Sequence, residues 1–143
     1  MKISTKGRYA LRMMVDLAQN KTKGFSPLKE ISERQGISKK DLELIVSSLH
    51  NSNLLNAERG FQGGYQLAKA PEQITVGEIL RMTEGSLAPV SCLENDPQGC
   101  ERRGECPTLF IWQELDRRIE DYLDSVTLQD ILDRQNASFD YMI

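Results

Sequence analysis

Apolar positions recur at helical spacing through most of this 143-residue chain, and the places where that spacing stops divide it. Ala10, Met13, Met14, Leu17 and Ala18 fall on one side of a helix that Thr5 or Ser4 caps and that runs to about Asn20. After a turn at 21–24, Ser26-Pro27 opens a short helix, with proline in the first turn, where its missing N–H costs nothing. Leu28 and Ile31 face inward, and Gly36 ends it. Ser38 with Asp41 has capping-box spacing and starts a third helix. Its apolar stripe is Leu42, Ile45, Val46 and Leu49; its polar side is Lys39, Lys40, Glu43, Ser47 and His50. Leu54–Glu58 and Tyr65–Leu67 read as two short strands, and the glycine-rich run Arg59–Gly64 between them suits a hairpin tip. Thr75 with Glu78 repeats the capping box before a helix that buries Val76, Ile79 and Leu80 and stops at Gly85.

From Ser86 to Glu105 neither the helical nor the alternating period persists. So long an irregular stretch inside a compact chain calls for a function or an external constraint that orders it. Helical spacing returns from Pro107 to about Ser125. There Trp112, Leu115, Ile119, Tyr122 and Val126 follow a heptad-like step, with charged residues around them. Packing inside the chain is the plain alternative for that seam; contact with a second copy is the reading adopted. Thr127 with Asp130 caps a last short helix through Leu128, Ile131 and Leu132, and the tail from Asn136 has no clear pattern. The expected fold class is mainly α with a small β-hairpin wing. A winged helix-turn-helix unit takes residues 1–85, a cysteine-bearing loop 86–106, and a long dimerisation helix with a C-terminal helix and tail 107–143.

Charge sharpens the picture. The net charge is −3, but residues 1–70 carry twelve Lys/Arg against six Asp/Glu, whereas residues 71–143 carry six against fifteen. A basic half joined to an acidic half points the first half at a polyanion. Two short helices joined by a glycine-containing turn form a helix-turn-helix signature, whose second helix offers its lysine-bearing first turn to a major groove. The hairpin that follows is a wing, and Arg59 and Gly60 at its tip reach a minor groove or a phosphate. The candidate DNA-contacting residues are therefore Ser38, Lys39, Lys40, Glu43, Ser47, Arg59 and Gly60. Glu43 is the unusual member, because a carboxylate accepts from cytosine N4 but repels phosphate and so discriminates by exclusion. The expected partners are double-stranded DNA with a palindromic operator and a second copy of the chain through Trp112, Leu115, Ile119, Tyr122 and Val126.

Other classes recede. The N-terminus lacks a signal-peptide pattern and no apolar run is long enough to cross a bilayer, so a cytoplasmic location is expected. No catalytic triad, paired-carboxylate site or phosphate loop has a supporting context, so an enzyme is not expected. The three cysteines, Cys92, Cys100 and Cys106, all lie in the irregular stretch. Thiolates are the soft ligands of iron–sulfur clusters and zinc, yet the closely spaced ligand pairs of structural zinc are missing. Redox-sensing thiols and inert loop cysteines remain open on spacing alone.

Several segments carry a resemblance. MKISTKGRYALRMM at the start, SERQGIS in the turn, DLELIVSSL in the third helix and RGFQGGYQL in the wing resemble the IscR-type winged-helix regulators. That family also includes the nitric-oxide sensor NsrR and the cysteine-metabolism repressor CymR. The resemblance covers nearly the whole chain and implies a homodimeric transcription factor, expected to repress, that controls iron–sulfur or sulfur and redox-stress genes. It also implies that Cys92, Cys100 and Cys106 hold an iron–sulfur cluster, and that a glutamate at position 43 takes part in site discrimination. Leu109 departs from the pattern, standing where the family places a histidine ligand, and the gap between Cys92 and Cys100 is longer than usual. The fourth ligand and the choice between 2Fe–2S and 4Fe–4S therefore stay open. The Tyr141-Met142-Ile143 ending looks more like the cysteine-metabolism branch. The alternatives carried forward are a cluster-free, thiol- or partner-controlled repressor of cysteine metabolism and a small iron–sulfur carrier or adaptor.

Overall fold

Helix α1 spans Thr5–Gln19, α2 Leu28–Gln35 and α3 Lys39–Leu49; strands β1 (Leu55–Glu58) and β2 (Gly64–Leu67) come next, then α4 (Val76–Glu84), α5 (Leu109–Ser125) and α6 (Leu128–Met142). This is a computed structural model, and it describes residues 2–61, 63–94 and 104–142. The caps foreseen from sequence are made. Ser38 accepts from the Asp41 N–H at 3.1 Å and Thr75 from the Glu78 N–H at 3.1 Å, each satisfying an orphan donor of the first turn. At Thr127 the box is reciprocal: its hydroxyl accepts from the Asp130 N–H, and its own N–H donates to the Asp130 carboxylate at 2.9 Å.

The stripe of α1 is the spine of the core. Ala10, Met13, Met14 and Leu17 are buried and meet Ile31, Leu42, Ile45 and Leu49 from the next two helices. A smaller cluster of Val76, Leu80 and Leu87 lies alongside, with Ile119, Leu123 and Val126 of α5 and its end packed on it. The C-terminal part of the chain is tied to this unit by backbone: Val76 donates to Val126 at 2.9 Å and Leu128 to Ile74 at 3.0 Å. Leu128 is fully buried in the main core.

β1 and β2 form an antiparallel hairpin in the register Leu55 to Leu67 through Glu58 to Gly64. Its inner strand is fastened to the segment before α2, where Ser26 and Tyr65 exchange backbone hydrogen bonds of 2.8 and 2.9 Å. Gly64 permits that approach, because a Cβ there would stand 2.3 Å from the Ser26 carbonyl.

Some expected boundaries move. Pro27 flanks α2 instead of entering it, with ψ 150°. Long helix α5 begins at Leu109, two residues later than Pro107 suggested. The largest change is α6, a 15-residue helix in place of a short helix and a patternless tail. Residues 133–138 are exposed, so no apolar period was needed there, and no glycine or proline interrupts the turn that Thr127 begins.

Candidate nucleic-acid interface and cysteine loop

Helix α3 turns one side to the core through Leu42, Ile45 and Leu49 and leaves the other free. Ser38, Lys39, Lys40, Glu43, Ser47 and His50 are all exposed, so the residues picked from sequence share one uncovered face. Leu44 joins them. It is 53% exposed, although its type suggested the core, and it sits between Lys40 and Ser47 on the same side of the helix.

What holds this helix pair in place is a buried ion pair that spacing along neither helix announces. Asp16 of α1 is 1% exposed, and the Arg34 guanidinium of α2 grips its carboxylate through Nη2 at 2.7 Å and Nε at 3.0 and 3.2 Å. The Gln35 amide donates to the same carboxylate at 3.0 Å, and Arg34 also reaches the Ser26 hydroxyl at 3.3 Å. The Asp16 hydrogen bond, followed by its charge, raises the Arg34 pKa above the ordinary arginine value. One buried carboxylate thus joins α1, α2 and the segment that pairs with the wing. A polar residue within the apolar stripe of α1 was the only local sign of it.

At the wing, Arg59 and Gly60 are exposed at the tip, beyond the last strand pair of Glu58 with Gly64. Phe61 beside them is fully exposed.

The five seam residues divide. Ile119 and Val126 pack on the Val76–Leu80–Leu87 cluster, and Trp112 is half-buried, its indole N–H donating to the Thr108 hydroxyl at 3.3 Å. Leu115 and Tyr122 are instead 41% and 67% exposed. Ile111 at 43%, one turn before Leu115, extends that uncovered strip, and Phe110 at 70% is exposed on another side of the helix, although neither was part of the expected seam. Along the rim, Glu114 receives Arg118 at 2.9 Å and also pairs with Arg117, which reaches Asp121 at 3.1 Å. The two arginines, Arg117 first, hold the Glu114 carboxyl below its usual range.

Of the three cysteines, Cys92 lies in a single turn at Ser91–Leu93, shortly after α4, and Cys106 lies just before α5. Both are free thiols and half-buried. Cys100 falls outside the described residues, and among the described residues no three His, Cys, Asp or Glu side chains gather in one place. Thr108, by its hydroxyl first and its backbone N–H second, keeps the Cys106 thiol below the ordinary cysteine value. Leu109, where a histidine ligand was expected, is the first residue of α5 and offers no donor atom. The free soft thiols of Cys92 and Cys106 suit an iron–sulfur cluster chemically, and a side chain at 109 does not add to the set.

The family model for Rrf2, described as "Iron-dependent Transcriptional regulator", matches residues 3–134. The chain belongs to the Rrf2 family. It is 38% identical to the transcriptional regulator IscR of Erwinia tasmaniensis, across 94% of this chain and 81% of that one. The solved structure of IscR from T. potens superposes with a TM-score of 0.73 at 38% identity, covering 94% of this chain and 88% of that one. CymR, the global cysteine regulator of B. subtilis, superposes equally well, with a TM-score of 0.73 at 39% identity and 92% and 95% coverage. Like these relatives, the chain is a winged-helix, DNA-binding transcriptional regulator and not an enzyme. Among the described residues no helix is long and apolar enough to cross a membrane.

Proposed function

We propose that this protein is a homodimeric repressor, cytoplasmic in location, that binds a palindromic operator and senses through an iron–sulfur cluster held by Cys92, Cys100 and Cys106. The observation that carries the reading is the placement of two free thiols, Cys92 shortly after the helix α4 that packs on the reading head and Cys106 just before the uncovered helix α5. A cluster bound there would supply a centre that responds to iron supply and oxidation. The protein supplies the coupling. Arg81 of α4 reaches Asp124 of α5 at 2.6 Å, so the segment holding the thiols bridges two helices that already share an ion pair. A rearrangement of that segment then shifts the population of arrangements of the reading head relative to the dimer helix.

On DNA, the first turn of α3 enters the major groove, with Ser38, Lys39 and Lys40 on the backbone and Glu43 and Ser47 facing base edges. Leu44 adds an apolar contact suited to a thymine methyl. Arg59 and Gly60 bring the wing to the flanking minor groove. Two copies joined along Leu115 and Tyr122 present half-sites about one helical turn apart, ~34 Å.

The test compares operator affinity of anaerobically reconstituted protein with that of a Cys92→Ala, Cys100→Ala, Cys106→Ala variant. The wild type is expected to carry a visible absorption band and the variant none, with affinities that differ between them. Equal operator binding by both would refute cluster sensing. A second reading, a cluster-free thiol-controlled repressor of cysteine metabolism, is favoured by the similarity to CymR at 39% identity. It predicts no absorption band after anaerobic purification and operator affinity that follows thiol oxidation. The carrier or adaptor alternative yields to the family assignment.

A further inference from the structure

Phe61 is the most exposed large apolar side chain among the described residues, at 102%. The hairpin that carries it is built to display it. Gly63 donates to the Gly60 carbonyl at 3.0 Å and closes the tip, while Gly60 takes φ 111°, a conformation that residues with a Cβ rarely adopt. A Cβ at position 63 would lie 2.2 Å from the Glu58 carbonyl oxygen. The glycines thus keep the tip narrow, and the ring is its projecting bulk. At the other end of the hairpin, the Ser26–Tyr65 pairing fixes the wing to the body. A cleft of about 570 Å³ runs beside the tip, lined by Lys23, Pro27, Glu30, Glu58, Arg59 and Phe61 itself among others, and it is too open to cover the ring, which stays fully exposed. Any cover the ring gains comes from another molecule.

We propose that Phe61 is an apolar wedge that presses on a base step in the minor groove while Arg59 beside it meets the phosphates. This rests on the reading of the wing as a DNA-contacting element. DNA is favoured over a protein partner because residues 1–70 carry twelve Lys/Arg against six Asp/Glu, and Arg59 stands at the same tip as the ring, while Glu30 and Glu58 balance Lys23 and Arg59 within the cleft itself. The tip is also continuous with the reading head through Ser26 and Tyr65. Apolar side chains inserted at a minor groove partly unstack a step and kink the duplex, and pyrimidine–purine steps yield most readily. The wedge therefore creates a preference for a flexible step at a fixed distance outside each half-site, at a position that receives no hydrogen bond from the protein.

The experiment uses the full-length protein and an operator selected from random duplexes, with 2-aminopurine scanned through the sequence beneath the wing. Wild type is expected to raise 2-aminopurine fluorescence at one step and to bend the duplex. Replacing that step by a stiffer one is expected to weaken binding about tenfold, as for a typical mismatched position. Phe61→Ala retains specific binding but loses the fluorescence rise, the bend and the step preference; Phe61→Leu retains part of each. Identical fluorescence and bending by wild type and Phe61→Ala overturns the wedge while leaving the DNA-contacting wing intact. If Phe61→Ala and Arg59→Ala both bind the operator with unchanged affinity and salt dependence, the wing does not touch DNA and the wedge falls with it.

Discussion

Helices α1 and α5 are both amphipathic and of similar length, but the chain finishes only one of them. α1 buries seven residues, among them Met13, Met14 and the charged Asp16, whereas α5 fully buries none. Around α1 every polar group that enters the core is answered, Asp16 by Arg34 and Gln35. Along α5 the inward side, Ile119, rests on α4 while Phe110, Leu115 and Tyr122 stay uncovered. The contrast teaches that the reading head closes its own core, whereas the long helix leaves apolar side chains exposed, as the proposed dimer contact requires. Exposed apolar residues rimmed by charge, such as Ile111, Leu115 and Tyr122 on one side of α5, mark a candidate interface.

The largest expected effect breaks that contrast on the α5 side. Leu115→Glu with Tyr122→Glu places two charges on the uncovered strip. If each residue is an interface anchor worth about 2 kcal/mol, self-association weakens on the order of a thousandfold. Sedimentation should then report monomers at concentrations where the wild type is dimeric, with operator affinity lost in step. A variant that stays dimeric would move the interface elsewhere.

On the α1 side, Asp16→Ala removes a buried carboxylate and strands the Arg34 guanidinium, whose side chain is only 30% exposed. A loss of about 3 kcal/mol is expected from chemical denaturation, at the low end for a broken buried pair because Arg34 recovers some water. Glu114→Ala sharpens the comparison, since that carboxylate pairs with two arginines at the surface of α5. Its denaturation midpoint should stay at the wild-type value.

A smaller effect is expected at Glu43. Glu43→Ala should leave stability unchanged and relax base preference at one operator position by about tenfold, read as the ratio of affinities for paired duplexes. Unaltered preference would return Glu43 to ordinary solvated surface. Ser38→Ala, which removes the hydroxyl that accepts from the Asp41 N–H, should cost about 1 kcal/mol while fraying the turn that bears Lys39 and Lys40.

The elements most legible in sequence were those set by neighbours along the chain. Capping boxes at Ser38, Thr75 and Thr127, the stripes of α1 and α3 and the glycine-rich hairpin all follow from spacing of a few residues. The motifs that resembled a winged-helix family held up, because they report local turns and faces that the fold reuses. The errors lie where a local pattern was silent or ambiguous: α6 continues to Met142 with no apolar period, since its exposed turns need only helix-tolerant residues.

By itself, then, the amino-acid sequence determined the helices, the wing, the basic half and the three thiols, through spacing, capping and composition. Only the tertiary structure decided that Asp16 belongs to Arg34, that Leu44 and Phe61 face outward, and that the α5 seam splits between Ile119 inside and Tyr122 outside. The reason is physical. A period states that a face is apolar, but what covers that face depends on segments far away in the chain, and a buried ion pair between two helices leaves no spacing along either one.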